Sequence, residues 1–271
     1  MSAYPERDLL KTVLDRHFDS RDDFAVLEAG CGSRSHVPIP GTPHVTGIDI
    51  SERQLARNED LDQRICGDLQ TYPLAEGQVD CAICWDVLEH LPAPGKALEN
   101  LVRATRQNGL IVISVPNRNS LKGLITRFTP HWFHVAVYRF LFGDRDAGKG
   151  DRAPFKTFLK PDISPARMRA FAKAQGLEEA LFLLYTCPMV KEGPVRAPTL
   201  FFFYRLLIGA LKVLSLGRYD ANLTDMLVVW RRPQAAALTF ACNSDNTFRA
   251  ASTILVPGPK MAATPAASSA G

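Results

Sequence analysis

Four short stretches of the sequence carry side chains that can bind a ligand or move a proton. Residues 28–33 join a glutamate to two glycines, Asp49 and Asp68 are single carboxylates, and residues 85–91 contain an aspartate, a glutamate and a histidine. Each stretch follows or ends a short apolar run, which is typical of a buried strand. Parallel strands end at the same edge of a sheet, where open α/β sheets bind ligands. We therefore expect the four stretches to form one site.

The glycine-containing stretch, residues 28–33, has the composition of a turn that leaves room for a ligand. Glycine lets a ligand approach the backbone where a Cβ atom would block it. A turn without any ligand is the alternative interpretation. A dinucleotide-binding turn would need the pattern Gly-x-Gly-x-x-Gly, and counting from Gly30 the sixth position is Ser35. The fingerprint of that class of site is therefore missing.

Asp49 and Asp68 stand where a nucleoside ligand needs carboxylates. An acidic group about 20 residues after a glycine turn can accept hydrogen bonds from both ribose hydroxyls. Asp68 can accept one from an adenine amino group, while Leu69 offers the ring an apolar contact. Because Ser51 follows closely, Asp49 can instead cap a helix. Three such positions in order on successive strands favour the ligand-binding interpretation.

The composition and the alternation of patterns define the fold class. The chain has 271 residues, of which 46% are hydrophobic and 22% charged, with a net charge of +4. This excludes a chain disordered throughout, a collagen-like repeat and a polytopic membrane protein. Apolar runs typical of strands alternate with helical patterns, one of them over residues 94–106. The alternation predicts an α/β fold with a mostly parallel sheet.

With residues 85–91 included, the pattern resembles the class I S-adenosylmethionine-dependent methyltransferases of the type 11 group, which includes quinone-biosynthesis enzymes. The matching segments are Val26–Gly32, Gly47–Ser51, Gly67–Leu69, Val79–Leu91 and Gly109–Pro116. The resemblance implies a Rossmann-like, mostly parallel seven-stranded sheet with helices on both faces. Two segments that do not fit the alternation, about 118–162 and 187–223, are expected to be helical insertions that form a cap.

The resemblance implies S-adenosylmethionine as the cofactor and assigns residues to it. The implied cofactor-binding residues are Glu28, Gly30, Gly32, Asp49, Ile50, Asp68, Leu69, Trp85 and Asp86. The first three would line the methionine end, while Asp86 would stand between the cofactor and the acceptor. Two features depart from the family pattern. Arg34 replaces the usual third glycine, and prolines at 38, 40 and 43 leave little room for the helix that normally follows the first strand.

Asp86, Glu89 and His90 have two alternative roles. At spacings of i, i+3 and i+4 the three side chains can share one helical face. In the quinone O-methyltransferases that this chain resembles, the matching positions hold a divalent metal ion, whereas in relatives without a metal Glu89 and His90 anchor the loop. If no metal binds, we expect His90 to be the general base, because imidazole titrates near neutral pH. Glu89 is its expected catalytic partner.

An apolar run in the second insertion has two alternative placements. Residues 200–214 are fewer than the roughly 20 that a membrane-spanning helix needs, and Arg205 and Lys212 interrupt them. Because these cations are seven residues apart, they share a helical face, so residues 200–216 can lie in a membrane interface. The alternative is a lid helix packed on the first insertion. No RNA-binding module is visible among the basic and aromatic residues, so no nucleic-acid partner is expected.

These expectations combine into one domain, residues 1–233, followed by a disordered tail rich in Ala, Ser and Pro at 235–271. The expected function is methyl transfer from S-adenosylmethionine to a small, hydrophobic or lipid-linked acceptor, with oxygen favoured over carbon or nitrogen. A non-catalytic S-adenosylmethionine-binding module at a membrane surface is the alternative. Six irregularly spaced cysteines and a start without an apolar signal-peptide core favour the cytoplasm, with peripheral membrane contact.

Overall fold

The computed structural model describes residues 4–19, 21–141, 143–196 and 198–234. The strands in these ranges are β1 Ala25–Ala29, β2 His44–Asp49, β3 Gln63–Cys66, β4 Val79–Trp85, β5 Thr105–Pro116, β6 Glu178–Tyr185 and β7 Asp225–Arg231. They form one seven-stranded sheet in the order β3-β2-β1-β4-β5-β7-β6. The pairs from β3 to β5 are parallel, and β7 runs antiparallel to β5 and β6. The predicted mostly parallel, Rossmann-like sheet is confirmed.

Helices pack on both faces of the sheet, as predicted. The α-helices are α1 Pro5–Phe18, α2 Glu52–Leu55, α3 Pro94–Ala104, α4 Leu121–Phe128, α5 His131–Leu141, α6 Pro165–Ala174, α7 Pro188–Arg196 and α8 Pro198–Leu214. On one face, Leu10 and Leu14 of α1 pack against buried strand residues. On the other, Leu98 and Leu101 of α3 and Met168 of α6 do the same. Burial of these apolar side chains provides most of the free energy that holds the layers together.

The register of the parallel strands brings four strand ends level with one another. Ala29 of β1 pairs with Ile48 of β2 and with Cys84 of β4, and Asp49 of β2 pairs with Cys66 of β3. The strand order reverses between β1 and β4, which is where sheets of this type bind ligands. The residues that follow these four strands therefore lie along one edge of the sheet.

The structure agrees with one local prediction, the absence of a helix after β1, and differs from another, the end of α3. Residues 30–43, all of which are described, contain no helix, as the prolines predicted. The helix predicted over residues 94–106 ends earlier, at Ala104, and β5 begins at Thr105. The reason is tertiary: Thr105 pairs with Val79 of β4, so sheet pairing replaces the last helical turn.

The segments predicted to be insertions are helical in part. Residues 118–162 contain α4 and α5, and residues 187–223 contain α7 and α8. Within the described ranges, no helix is long and apolar enough to cross a membrane. Residues 235–271, predicted to be a disordered tail, lie outside the described residues.

Candidate active site

A cavity of about 1090 Å³ opens at the carboxyl ends of β1 to β4. The sequence-predicted residues that line it are Gly30, Gly32, Asp49, Ile50, Asp68, Leu69, Trp85, Asp86, Glu89 and His90. Residues from α4, α5 and α8 complete the lining, among them Lys122, Tyr138 and Tyr204. The four stretches predicted to form one site are therefore brought together.

The two glycines after β1 have conformations and surroundings that other residues would not tolerate. Gly30 has φ of +70° and Gly32 has φ of +57°, in the left-handed region that L-residues with a Cβ atom rarely adopt. A Cβ atom on Gly30 would lie 2.4 Å from Cγ2 of Val87, and one on Gly32 would lie 2.9 Å from Oε1 of Gln54. The backbone can follow this path, and leave the cavity open, because the side chains are absent.

Glu28 is the predicted cofactor residue that does not line the cavity. Its side chain is 3% exposed, and Oγ of Ser35 donates a hydrogen bond of 2.7 Å to Oε2. Burial raises the pKa of the Glu28 carboxyl. The observed contact of Glu28 is with Ser35, which follows the glycine turn. Its expected position beside the methionine end of the cofactor stays a prediction.

Asp49 links the glycine turn to the segment after β2. One carboxylate oxygen accepts a hydrogen bond of 2.9 Å from N–H of Gly32, and the other accepts one of 2.8 Å from N–H of Ser51. The helix-cap alternative belongs to Ser51 instead, because its hydroxyl accepts from N–H of Gln54. Each oxygen of Asp49 keeps a further lone pair, and Ile50 beside it is 77% exposed. Asp49 can therefore accept hydrogen bonds from ribose hydroxyls, and Ile50 can contact an adjacent apolar ring.

Asp68 follows β3 and is already held in place by its own loop. It accepts a hydrogen bond of 2.9 Å from N–H of Gln70, and the Gln70 side-chain amide donates to both carboxylate oxygens. The amide oxygen of Gln70 in turn accepts from N–H of Ala93. Leu69 next to Asp68 is buried and touches the cavity. This arrangement fixes a carboxylate beside an apolar contact, as a purine ring requires.

Asp86 follows β4 with an unusual backbone conformation. Its φ is +54°, which is uncommon for a residue other than glycine, asparagine or aspartate. N–H of Asp86 donates to the carbonyl of Ser114, and Oγ of Ser114 donates to the Asp86 carboxylate at 3.1 Å. The Asp86 side chain is open to the cavity, but the protein around it removes part of its hydration and, together with the neighbouring Asp225 carboxylate, raises the pKa of Asp86 to about 6. Strain and a displaced pKa at one residue are typical of functional sites.

The predicted metal-binding arrangement of Asp86, Glu89 and His90 is not formed. Leu88–His90 is a short 3-10 helix rather than part of an α-helix, and the positive φ of Asp86 breaks the helical spacing on which the prediction depended. Among the described residues, no three His, Cys, Asp or Glu side chains are grouped to hold a metal ion. The donor set does not fit the divalent ion of the metal hypothesis.

His90 has the tautomer that a general base needs. Nδ1 lies 2.9 Å from the carbonyl oxygen of Lys156. A carbonyl can only accept, so Nδ1 carries the proton and Nε2 keeps a lone pair. Burial lowers the pKa of His90, which keeps the ring neutral at pH 7. Nε2 lies 3.7 Å from Oε1 of Glu89.

Glu89 is a buried carboxyl group with an unused oxygen. It is 4% exposed, and its Oε2 atom has no hydrogen-bond partner among the described residues. Burial, reinforced by the charge of Asp86, raises the pKa of Glu89 well above its usual value. Its backbone carbonyl accepts hydrogen bonds from N–H of Phe158 and Leu159, so the segment before α6 holds this loop.

Comparisons with known proteins agree with this geometry. The methyltransferase domain family, in its type 11 form, matches residues 27–113, which contain the four stretches. This part of the chain therefore resembles the S-adenosylmethionine-dependent methyltransferases. The glycine turn, where a Cβ atom would clash, and the carboxylates after β2 and β3 fit this family's cofactor.

Relatives resemble this chain over part of their length. An uncharacterized protein of Methanocaldococcus jannaschii is 29% identical over 41% of this chain and 48% of its own. The ubiquinone biosynthesis O-methyltransferase of Bordetella pertussis is 31% identical over 56% of this chain and 61% of its own. The chain thus spans about half of the first relative and three-fifths of the second. The phosphoethanolamine N-methyltransferase 2 of Haemonchus contortus, solved with S-adenosyl-L-methionine, shares the fold with a TM-score of 0.50 at 16% identity, over 84% of this chain and 52% of that one.

The cavity also contains residues that no sequence motif indicated. Nζ of Lys122, on α4, lies 3.2 Å and 3.3 Å from the two carboxylate oxygens of Asp225, at the start of β7. Burial alone would lower the pKa of Lys122, but Asp225 more than offsets this and the pKa is raised. The hydroxyl of Tyr204 is buried without a hydrogen-bond partner, and burial raises its pKa to about 12. These residues are far apart in sequence, so only the tertiary fold reveals them.

Proposed function

We propose that this chain transfers the methyl group of S-adenosylmethionine to an oxygen atom of a small hydrophobic or lipid-linked acceptor. The observation that carries the proposal is the shared cavity. The predicted cofactor residues other than Glu28, and the base candidate His90, line one continuous space at the carboxyl edge of the sheet. The cofactor and the acceptor can therefore bind in the same cavity, in contact with each other.

Some residues around the cavity position the cofactor, and His90 accepts a proton. When bound, S-adenosylmethionine supplies a methyl group on a positively charged sulfur. Gly30 and Gly32 leave the space, and Asp49 and Asp68 orient the nucleoside part. Holding two reactants at the correct geometry provides a large share of catalysis in such a displacement. Nε2 of His90 takes the proton of the acceptor hydroxyl, because Nδ1 is held by the Lys156 carbonyl.

The lining of the cavity supports a hydrophobic acceptor. Aromatic residues of the insertions that line it are Phe133, Tyr138, Phe155, Phe201 and Tyr204. Such rings bury much apolar surface and bind flat or aliphatic groups. The name of the Bordetella pertussis relative, an O-methyltransferase, supports oxygen as the methylated atom.

We extend the proposal to peripheral contact with a membrane through residues 200–216. In α8, Phe202 and Phe203 are 59% and 62% exposed, and Arg205 and Lys212 are exposed as well. Trp132 of α5 is also largely exposed. Apolar side chains bordered by cations favour a helix lying in the interface of an anionic bilayer. A lipid-linked acceptor could then enter the cavity from the bilayer, and no nucleic-acid partner is proposed.

The direct test is methyl transfer to an unidentified acceptor. Purified protein is incubated with methyl-labelled S-adenosylmethionine and a host extract, and the label is partitioned between organic and aqueous phases. We expect protein-dependent label in the organic phase. Label only in the aqueous phase would contradict a hydrophobic acceptor. Cofactor binding without transfer to any component would favour the non-catalytic module instead.

The role of His90 is tested in the same assay. Exchange of His90→Asn removes the base, and general-base removal lowers rates by about 100-fold to 10,000-fold. Cofactor affinity should be unchanged. His131→Asn, an exposed histidine of α5, is the matched control and should retain full activity. Full activity of the His90 variant would exclude it as the base.

A further inference from the structure

The charges around the cavity are unbalanced. Lys122 is the one lysine or arginine that lines the cavity among the described residues. Its ammonium group already contacts both oxygens of Asp225 and lies 3.5 Å from Sγ of Cys187. Asp86 and Glu89 line the same cavity, and among the described residues neither makes a direct ion pair with a lysine or arginine, although Lys122 acts on both at longer range and Arg7 on Asp86. These two carboxyl groups of the cavity are therefore the ones that a cationic ligand group could pair with directly.

The unpaired oxygen of Glu89 indicates that a ligand group belongs there. A buried polar atom without a partner costs free energy, and native proteins almost always satisfy such atoms. Oε2 of Glu89 has no hydrogen-bond partner in the part of the chain that the structure describes, although the side chain is 4% exposed and lines the cavity. Burial, reinforced by the charge of Asp86, raises the pKa of Glu89 well above its usual value, so this carboxyl holds its proton while it is unpaired. A donor group on the ligand would satisfy this oxygen.

The walls of the cavity favour an organic cation over a metal ion. The donor atoms needed for a metal do not converge among the described residues. Trp85, Tyr138 and Phe155 line the cavity, and aromatic faces attract ammonium groups when water is excluded. The ring of Phe155 also packs edge-on against His90, with ring centroids 5.8 Å apart. Carboxyl groups together with aromatic rings form a typical environment for an amine.

We propose that the acceptor carries a basic amine close to its reacting hydroxyl, and that Glu89 and Asp86 bind this amine as an ammonium ion. The proposal rests on the proposed methyl transfer and specifies its substrate class. Nε2 of His90 and Oε1 of Glu89 are 3.7 Å apart, so the hydroxyl and the amine stand a few bonds from each other, as in an amino alcohol. No bond to the nitrogen changes. The amine is an anchor. The hydroxyl oxygen would gain the methyl group that the cofactor supplies, as the bond from that methyl group to sulfur breaks, and the hydroxyl proton moves to Nε2 of His90.

Three probes that differ in one group test this substrate class. They are 2-amino-1-phenylethanol, 1-phenyl-1,2-ethanediol and mandelate, which share a phenyl ring and a hydroxyl but end in an ammonium, a hydroxyl and a carboxylate. Binding is measured by calorimetry with S-adenosylhomocysteine present. We expect the amino alcohol to bind at least about tenfold more tightly than the diol, and mandelate not to bind. Binding of the amino alcohol should release a proton, because the ammonium favours ionised Glu89.

Matched variants separate this subsite from general effects of burial. Glu89→Gln should remove the preference for the amino alcohol. Glu6→Gln is the control, because Glu6 is 2% exposed and its Oε2 lacks a hydrogen bond, yet it lies outside the cavity near Lys191. That variant should keep the preference.

Several outcomes would overturn the amine subsite. They are equal or better binding of the diol or mandelate, no binding of any probe, and selectivity that survives in Glu89→Gln. Binding that depends on added Mg²⁺ and is lost on chelation would assign the carboxyl groups to a metal. The label-transfer assay is independent of these probes. Transfer without amine selectivity would leave the methyltransferase proposal standing and reject this one.

Discussion

Gly30 shows how a single missing side chain opens the cofactor end of the cavity. Gly30→Ala would place a Cβ atom 2.4 Å from Val87 at a φ of +70°. Either the turn or the loop containing Val87 must move, and both line the cavity. We expect cofactor affinity to fall by more than about tenfold, a loss of about 1.4 kcal/mol, because either movement changes the shape of the cofactor end of the cavity. Calorimetric titration with S-adenosylhomocysteine measures this.

A second glycine separates the steric effect from backbone strain. Gly77 has a φ of +58° but open space around its Cβ position, and it does not line the cavity. Gly77→Ala should therefore lower the free energy of unfolding by about 1 kcal/mol without changing cofactor affinity. Equal affinities of the Gly30 and Gly77 variants would contradict the assignment of Gly30 to the cofactor.

Asp86 makes the stability of the folded chain depend on pH. Its pKa is raised from an ordinary value of 3.8 to about 6, so the folded protein holds this proton more tightly than the unfolded chain. The contribution of Asp86 is therefore favourable at low pH, and it is lost as the pH rises from about 4 to about 6. Asparagine also tolerates a positive φ and does not ionise. The free energy of unfolding of Asp86→Asn should therefore not show this decrease as the pH rises.

The pH effect is measured by urea unfolding of the parent and of Asp86→Asn, at pH values from about 4 to about 6 and above. The free energy of unfolding of Asp86→Asn should rise relative to that of the parent as the pH increases, and the gap should then stay constant. Asp162→Asn, at an exposed position outside the cavity, is the control and should show no such trend. A gap that shrinks with pH would mean that Asp86 is stabilised as a carboxylate.

At the scale of elements, α8 has two faces that its sequence alone does not separate. Phe201 and Tyr204 face the cavity, while Phe202, Phe203 and Leu206 are exposed. The lid interpretation and the interfacial interpretation therefore concern different faces of the same helix. The aromatic residues that narrow the cavity alternate along α8 with those available to a lipid surface.

Charge reversal on α8 tests the exposed face. Arg205→Glu/Lys212→Glu should weaken binding to vesicles containing anionic phosphatidylglycerol by at least about tenfold, because each cation near such a surface contributes about 1 kcal/mol. Flotation of protein with vesicles measures this. The matched control is Arg167→Glu/Lys173→Glu on the exposed side of α6, which should float normally. Equal flotation of both variants and the parent would contradict membrane contact through α8.

The elements were predictable where local pattern and tertiary pairing agree. The apolar runs that became β1 and β4 are buried along nearly their whole length, and in β2 Gly47 and Ile48 are buried, so the local pattern was enough to predict these strands. The end of α3 was misplaced because Thr105 pairs with Val79 in the sheet, a contact distant in sequence. The same limit explains residues 86–90: spacing suggested one helical face, but a positive φ at Asp86 and a 3-10 helix at Leu88–His90 changed the direction of the side chains.

For the whole molecule, the site is predictable as far as it is built from strand ends. Parallel pairing brings the residues after β1 to β4 to one edge, so Asp49 and Asp68 could be placed from their position in the chain. Lys122 and Asp225 could not, because they are 103 residues apart and meet only when α4 packs near the start of β7. The cofactor end follows from local rules, and the acceptor end depends on how the insertions close over the sheet.

Because the cofactor residues come from separate strands, binding should stabilise the whole fold and not one loop. At about 100 times its Kd, S-adenosylhomocysteine should raise the free energy of unfolding by about 2.7 kcal/mol. Asp49→Ala should abolish this gain, because Asp49 both offers lone pairs to the ribose and fixes N–H of Gly32. Asp49→Asn retains one carbonyl oxygen and should keep part of it. A full gain in the alanine variant would show that the nucleoside is held elsewhere along the strand ends.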